Sequence, residues 1–322
     1  MRLSVALCTF NGAKYIGQQL ESLAGQTRPP DELIVCDDCS ADETVKMVRE
    51  FAQRVPWPIR LEINPSNVGV TLNFDQAIQL CTGDVIALCD QDDFWLPQKL
   101  ERIEAAFNDA NVGLVFSDAE VVDGELKPLG YRLWSKTFPA SYEREFERGN
   151  TMDILLYGQT VTGATMAFRA DVKQLILPIP QLAAMMHDGW IAFLSAAVSR
   201  VKYISEPLML YRQHDHQLVG ATQKDPVDPP LRWFVPAARF AEGERQKLRA
   251  IHGRLVEWES KFPSSKAARR VRRRLTHLET RYRVEGSSLR RVLWAVRELV
   301  TLRYHRHSGG LRSFVEDLVI RG

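Results

Sequence analysis

"IVCDDCSADET", Ile34–Thr44, places two cysteines and two adjacent carboxylates where an apolar run gives way to a helix-forming one. The spacing of Cys36 and Cys39 suits a redox pair or half of a zinc site. The pair Asp37–Asp38 suits the carboxyl end of a buried strand, where open α/β sheets bind their ligands. The sulfurs lack company. The sequence has no second Cys-x-x-Cys, no nearby histidine completes a zinc set, and Cys36 ends a strand instead of opening a helix. The carboxylates carry the chemistry if the flanking chain repeats the same strand-to-helix pattern.

The pattern does repeat. "LSVALCT" (Leu3–Thr9) reads as a buried strand and "AKYIGQQLESLAGQ" as the helix after it. "ELIVCD" is followed by the helix "DETVKMVREFAQ". The strand "IRLEI" is followed by "TLNFDQAIQLC", "DVIALCD" by "PQKLERIEAAF", and "VGLVFSD" closes the series near residue 118. Continuous apolar strands, each followed by a helix, predict a mostly parallel sheet covered on both faces, a doubly wound α/β domain. Beyond residue 120 the pattern is more mixed. Strands are expected at "TGATMAFR" and "EPLMLYR", and a helix at "HDGWIAFLSAAV". Prolines in "KDPVDPPLRW" predict a linker near residue 228. The expected organisation is a domain over 1–228, with halves 1–120 and 121–228, followed by a helical basic region over 229–322.

Composition supports a globular chain: 322 residues, 45% hydrophobic and 25% charged. The net charge of +2 hides an asymmetry. From Leu231 onward there are 22 Lys+Arg against 9 Asp+Glu; before it there are 20 against 31. Five cysteines, an odd number, argue against a disulfide framework. No run approaches the ~20 apolar residues of a membrane span, and the first apolar run is too short for a secretory signal. The expected location is cytoplasmic, peripheral on the inner face of the cell membrane. In "SLRRVLWAVRELV" the stripe Leu289, Leu293, Val296 and Val300 is apolar while Arg290, Arg291 and Arg297 fall off it. Val271, Leu275, Leu278 and Tyr282 form a second stripe. Amphipathic, arginine-rich helices predict contact with an anionic membrane surface; packing of the stripes on the rest of the chain is the plainer reading. Nucleic acid is not an expected partner, because "RRVRRR" (Arg269–Arg274) lies in no recognition motif and no aromatic platform accompanies it.

Four polar clusters end the strands: "CTFNG" (Cys8–Gly12), "CDDCS" (Cys36–Ser40), "CDQDD" (Cys89–Asp93) and "NPSNVG" (Asn64–Gly69). Parallel strands bring them to one rim carrying Asp37, Asp38, Asp90, Asp92 and Asp93. Carboxylates so gathered repel unless a cation or hydrogen-bond donors lie among them. The pattern predicts a hard divalent ion, Mg2+ or Mn2+, shared with a phosphate-bearing ligand. Helix caps and turns are the alternative use of such residues.

With these residues in view, "VALCTFNGAKYIGQQLESLAGQT", "ELIVCDDCSADET", "NVGVTLNFDQAI", "GDVIALCDQDDFWLPQKL" and "MHDGWIAFLSA" together resemble a family 2 inverting glycosyltransferase of the GT-A fold, in its rhamnosyltransferase-like branch, over about residues 1–220. Cys39 stands where many members have glycine. The resemblance implies transfer of a sugar, best matched by L-rhamnose from dTDP-L-rhamnose, with UDP-hexoses and UDP-N-acetylhexosamines as alternative donors. The acceptor would be a hydroxyl of a surface glycan or lipid-linked glycan. It implies that Thr9, Asn11, Gly12, Asn67, Gly69 and Asn73 line the nucleotide, and that Asp37 or Asp38 bonds the base or ribose, Asp37 being favoured. Asp90-Gln91-Asp92 matches the DxD motif, with Asp90 near the ribose and Asp92 on the metal. His214 matches a metal or diphosphate ligand, with Arg212 and Gln213 as phosphate neighbours. Asp188 matches the catalytic base; inversion by one in-line displacement needs one carboxylate to take the acceptor proton. His187, Trp95 and Trp190 are candidates for the acceptor site, the tryptophans being equally suited to the core. Lys99 could reach a phosphate or be solvated. A nucleotidyltransferase also uses carboxylates and Mg2+, but it wants a glycine-rich basic loop after the first strand, and "CTFNGAKY" has one glycine. A non-catalytic nucleotide-sugar binder is disfavoured by the presence of Asp90, Asp92 and Asp188.

Overall fold

A computed structural model describes residues 1–157, 160–215, 217, 237–283, 288–303 and 314. The expected linker near residue 228 lies outside them. The described chain divides into two compact units, one within Met1–Gln181 and Met185–Pro230 and one within Leu231–Gly322 together with Leu182–Ala184.

The larger unit alternates strand and helix. β1 (Leu3–Thr9), α1 (Ile16–Ala24), β2 (Glu32–Asp37), α2 (Thr44–Ala52), β3 (Ile59–Ile63), α3 (Val70–Leu80), β4 (Val85–Asp90), β5 (Phe94–Trp95) and α4 (Lys99–Ala106) come first. β6 (Val112–Val122), β7 (Pro128–Arg132), α5 (Trp134–Thr137), α6 (Ala140–Glu147) and α7 (Thr151–Tyr157) follow, then β8 (Met166–Arg169), α8 (Lys173–Ile176), α9 (His187–Val198) and β9 (Arg200–Arg212). They form one sheet in the order β3-β2-β1-β4-β8-β6-β9-β5, with β7 on β6. β1 pairs in parallel with β2 and β4, β2 with β3, and β6 with β9. β8 runs against both β4 and β6, β5 against β9, and β7 against β6.

Every residue of β1 and β2 is buried, as strands with helices on both faces must be. Leu3, Val5, Leu7, Leu33, Val35 and Ala87 join Ile16, Leu20 and Leu23 of α1 in one core. Each fully buried aliphatic side chain contributes about 1.5–3 kcal/mol relative to exposure. Two expectations change. "TGATMAFR" becomes a short 3-10 turn, Gly163–Thr165, and only then the strand β8. The sheet also gains antiparallel members. An apolar strand buried on both faces reads the same in either direction, so periodicity does not reveal the reversal at β8.

In the smaller unit α10 (Ala237–Glu257) and α11 (Ser265–Arg283) pack through Leu248, Ile251, Leu255, Ala267 and Val271. Buried charges are paired: Glu244 with Lys247 and Arg274, and His277 with Glu298 of α12 (Ser288–Val300). α12 buries Ala295 and Glu298 and turns Val292, Leu293, Val296 and Val300 outward, the last 76% exposed. Its apolar stripe therefore faces away from its own unit's core. No helix among the described residues is long and apolar enough to cross a membrane.

Candidate functional site

The parallel strands β1, β2 and β4 end together. Their register aligns Thr9 with Asp37 and Cys8 with Asp90. The expected rim therefore exists, and its carboxylates divide into two kinds.

Asp37 and Asp38 brace loops. Asp37 accepts the Thr9 and Ser40 hydroxyls on Oδ2, at 2.7 and 2.6 Å, and the Ser40 N–H on Oδ1. Asp38 accepts Asn64 Nδ2 and the Val68 N–H on Oδ1, and the Gly69 N–H on Oδ2 at 2.8 Å. They are 0% and 3% exposed. In this arrangement neither offers the base an open face, contrary to the expectation for Asp37; burial and inward-facing donors are the reason. Asn73 is likewise buried, bonded to the Cys36 carbonyl and to Asn64. Thr9 is buried behind Asp37. Asn11 and Asn67 remain exposed. Asn11 takes a positive φ of 46°, accepts the Ala41 N–H and donates its own N–H to Ser40 Oγ, which ties the first loop to the second. Gly12 donates its N–H to Thr44 Oγ1, and Gly69 follows Asn67 into α3.

The second kind faces the site. Asp90, Asp92 and Asp188 are partly exposed. Burial, and then the charges of Asp92 and Asp188, push the Asp90 carboxyl up to about 7. Asp188, from another part of the chain, is thus brought to the DxD turn by the first turn of α9. Its Oδ1 accepts the Gly189 N–H at 2.6 Å. Gly163 packs beside this helix start: a Cβ there would crowd His187 Nε2 at 3.1 Å, while Asp188 Cβ would lie at an ordinary 3.6 Å. Asp92 Oδ2 lies 2.8 Å from His214 Nε2, a pairing across 122 residues. Tyr15 packs on the His214 ring.

Several candidates prove to be scaffold. Trp95 and Trp190 are each 1% exposed, and Trp190 donates to the Ile176 carbonyl. Neither presents a ring face to a sugar. His187 is 5% exposed, stacked on Phe74 at 4.4 Å, with its imidazole pKa lowered by burial. Lys99 is neither solvated nor open to a phosphate. It is fully buried, donates to the Ala164 carbonyl at 2.6 Å, and sits 4.0 Å over the Trp95 ring. Desolvation lowers it to about 7, partly offset by Cys89, Asp93 and Asp90. Arg212 is no phosphate neighbour: its guanidinium bonds the carbonyls of Asp92 and Gly124 and the Gln18 side chain. Its N–H also bonds Asp93 Oδ1. It thus positions the DxD turn from below, a role its place at a strand end does not announce. Gln213 bonds the Arg212 carbonyl. All five cysteines are free, and burial pushes the Cys36 thiol up to about 12.

The fold is that of GT-A glycosyltransferases. Across its full length the chain matches the crystal structure of Staphylococcus aureus TarS 1–349 in complex with UDP-GlcNAc, with a TM-score of 0.59 at 18% identity and 82% of that chain covered. Glycosyl transferase family 2 matches residues 4–173, more than half of the sequence; the chain belongs to that family. Relatives include an uncharacterized glycosyltransferase of Nostoc sp., 27% identical over 66% of this chain and 65% of that protein. An uncharacterized protein of Mycobacterium tuberculosis is 26% identical over 78% of this chain and 69% of its own length. The poly(ribitol-phosphate) beta-N-acetylglucosaminyltransferase TarS of S. aureus is 29% identical over 43% of this chain and 24% of its own.

Proposed function

We propose that this transferase moves a sugar from a pyrimidine nucleotide-diphosphate donor to a glycan or lipid-linked glycan hydroxyl, with inversion. The observation that carries the reading is the convergence of Asp188 on the Asp90–Asp92 turn, with His214 on Asp92. Asp188 acts as base. Its Oδ1 is held by the Gly189 N–H, which orients the carboxylate and leaves Oδ2 to take the acceptor proton as the hydroxyl attacks the anomeric carbon and the nucleoside diphosphate departs. The exposed Asn11 and Asn67 bond the nucleotide, and Asp37 and Asp38 hold their loops in place.

A divalent ion, Mg2+ or Mn2+, fits Asp92 and His214. Burial first, and then the charges of Asp92 and Asp188, raise Asp90, so a cation among these carboxylates is stabilising, and the carboxylate of Asp92 suits a hard ion such as Mg2+ or Mn2+. No group of three or more His, Cys, Asp or Glu side chains gathers to hold a metal among the described residues. When bound, such an ion neutralises the charge growing on the leaving group.

UDP-N-acetylglucosamine is supported by the likeness to TarS, a beta-N-acetylglucosaminyltransferase whose structure holds UDP-GlcNAc, and dTDP-L-rhamnose by the resemblance of the sequence motifs to the rhamnosyltransferase-like branch. A donor panel of both, with UDP-glucose and GDP-mannose, each with and without Mn2+, tests the reading by thermal shift. Metal-dependent stabilisation by a pyrimidine donor is expected, and Asp188→Asn should keep it while losing turnover. Turnover retained in Asp188→Asn removes that residue from the mechanism.

The smaller unit gives the enzyme a membrane-facing surface on the cytoplasmic side. The support is the outward apolar face of α12, flanked by the exposed Arg297. In flotation with vesicles of anionic lipid, the full chain should rise with the vesicles, and Leu293→Glu/Val300→Glu should not. Equal flotation of the two proteins removes α12 from the contact.

A further inference from the structure

The side chain of Gln91, the middle residue of the DxD turn, makes contacts that the carboxylates do not explain. Its Oε1 accepts the Phe10 N–H at 2.8 Å, and its Nε2 donates to the Phe10 carbonyl at 2.9 Å. The β1–β4 ladder ends at the pair Cys8 and Asp90. Just beyond it the Gln91 amide supplies one donor and one acceptor to the same residue, as a neighbouring strand's peptide would. The amide also rests on Gly12. A Cβ at Gly12 would stand 2.1 Å from Gln91 Oε1 and 2.5 Å from its Cδ. Gly12 is therefore required for this approach, while its N–H holds Thr44 on the far side.

We propose that Gln91 is a positioning residue that locks the Phe10–Gly12 loop to the Asp90–Asp92 turn. The consequence rests on the donor-binding reading above: the loop lies along the nucleotide and the turn meets the diphosphate, so the clamp sets the separation of the two halves of the donor site. Only glutamine meets the requirement. Glutamate lacks the donor, lysine lacks the acceptor, and asparagine is one methylene too short. A preorganised loop binds more tightly because less order is lost on association.

The test uses Gln91→Ala, Gly12→Ala, the double variant and the isosteric Gln91→Glu in the full-length protein. Two readouts are taken: amide hydrogen exchange over Phe10–Gly12 without nucleotide, and calorimetric affinity for UDP and dTDP with Mn2+. Gln91→Ala should speed exchange of the Phe10 amide and weaken nucleotide binding about tenfold, the scale of two net hydrogen bonds. Gly12→Ala should do the same by forcing the amide away. The double variant should be no weaker than the worse single one, because both remove one clamp. Gln91→Glu keeps the acceptor but sets a carboxylate oxygen against the Phe10 carbonyl, and should bind no better than Gln91→Ala. Wild-type affinity in Gln91→Ala overturns the proposal, as do losses that multiply in the double variant. If the wild-type protein binds neither nucleotide while Gln91→Ala still speeds exchange, the donor reading has failed and the positioning role falls with it, though the clamp stands.

Discussion

Asp38→Asn separates a structural carboxylate from a ligand-binding one with a single isosteric change. Asp38 receives three donors: Asn64 Nδ2 and the Val68 N–H on one oxygen, and the Gly69 N–H on the other. The asparagine must direct its NH2 at one oxygen site or the other. Facing Oδ1's partners it would oppose two donors, so the lower-energy choice sets it against the Gly69 N–H. One charge-assisted hydrogen bond is then lost and a partly buried N–H is left without its acceptor, at a cost of about 2 kcal/mol. For a unit of this size, that corresponds to a Tm lower by roughly 4–8 °C. The assay is urea and thermal unfolding beside calorimetric affinity for UDP with Mn2+. Loosening the loop before α3 should weaken nucleotide binding, and saturating nucleotide should recover part of the lost Tm. A variant as stable as the wild type that binds no nucleotide would refute the bracing argument and return Asp38 to the base-binding role.

Two further outcomes follow from the same geometry. The Asp90 carboxyl is raised to about 7 against an unfolded value near 4. The folded state therefore holds its proton across that window, and stability falls as pH rises from about 4 to 7. Asp90→Asn should accordingly raise the metal-free Tm at pH 8, with a ceiling of about 4 kcal/mol at 1.36 kcal/mol per pK unit, and the gain should shrink toward pH 5; a gain equal at both pH values would show that charge is not its cause. Trp190→Phe removes a buried indole and its bond to the Ile176 carbonyl, so stability should fall by about 1–3 kcal/mol, with affinity for UDP and Mn2+ unchanged. A stable Trp190→Phe protein whose acceptor KM rises would place the ring at the sugar after all.

Much of the larger unit is legible in the sequence because its strands are continuous apolar runs. β1, β2 and β3 occupy the residues that periodicity assigns. The rim is legible for the same reason, since parallel strands must end on one edge. The irregular elements are not. β5 has two residues, β7 is mostly exposed, and α5 has four; none is long enough to show a period. Burial is the harder quantity to read. Trp95 and Trp190 stand next to Asp93 and Asp188 in order of sequence, yet the helices and strands bearing them turn the rings into the core. Lys99 follows a proline at what looks like a solvated helix start, yet it is drawn inward by the Ala164 carbonyl and the Trp95 ring.

Adjacency in sequence says that a carboxylate reaches the rim. What it does there depends on how many donors already point at it, and those donors come both from its own loop and from loops distant in the chain. Thr9, Ser40, Asn64, Val68 and Gly69 supply six bonds to Asp37 and Asp38, three from backbone N–H groups and three from side chains, so these two acids brace the surrounding loops. Asp92 is held differently: Arg212 grips its carbonyl and leaves the carboxylate to His214. Asp188 has one oxygen tied and one open. The opening contest between sulfur and carboxylate at Ile34–Thr44 thus has a more specific answer than either. The carboxylates there brace the loops of the rim, and the proposed chemistry falls to Asp90, Asp92 and Asp188.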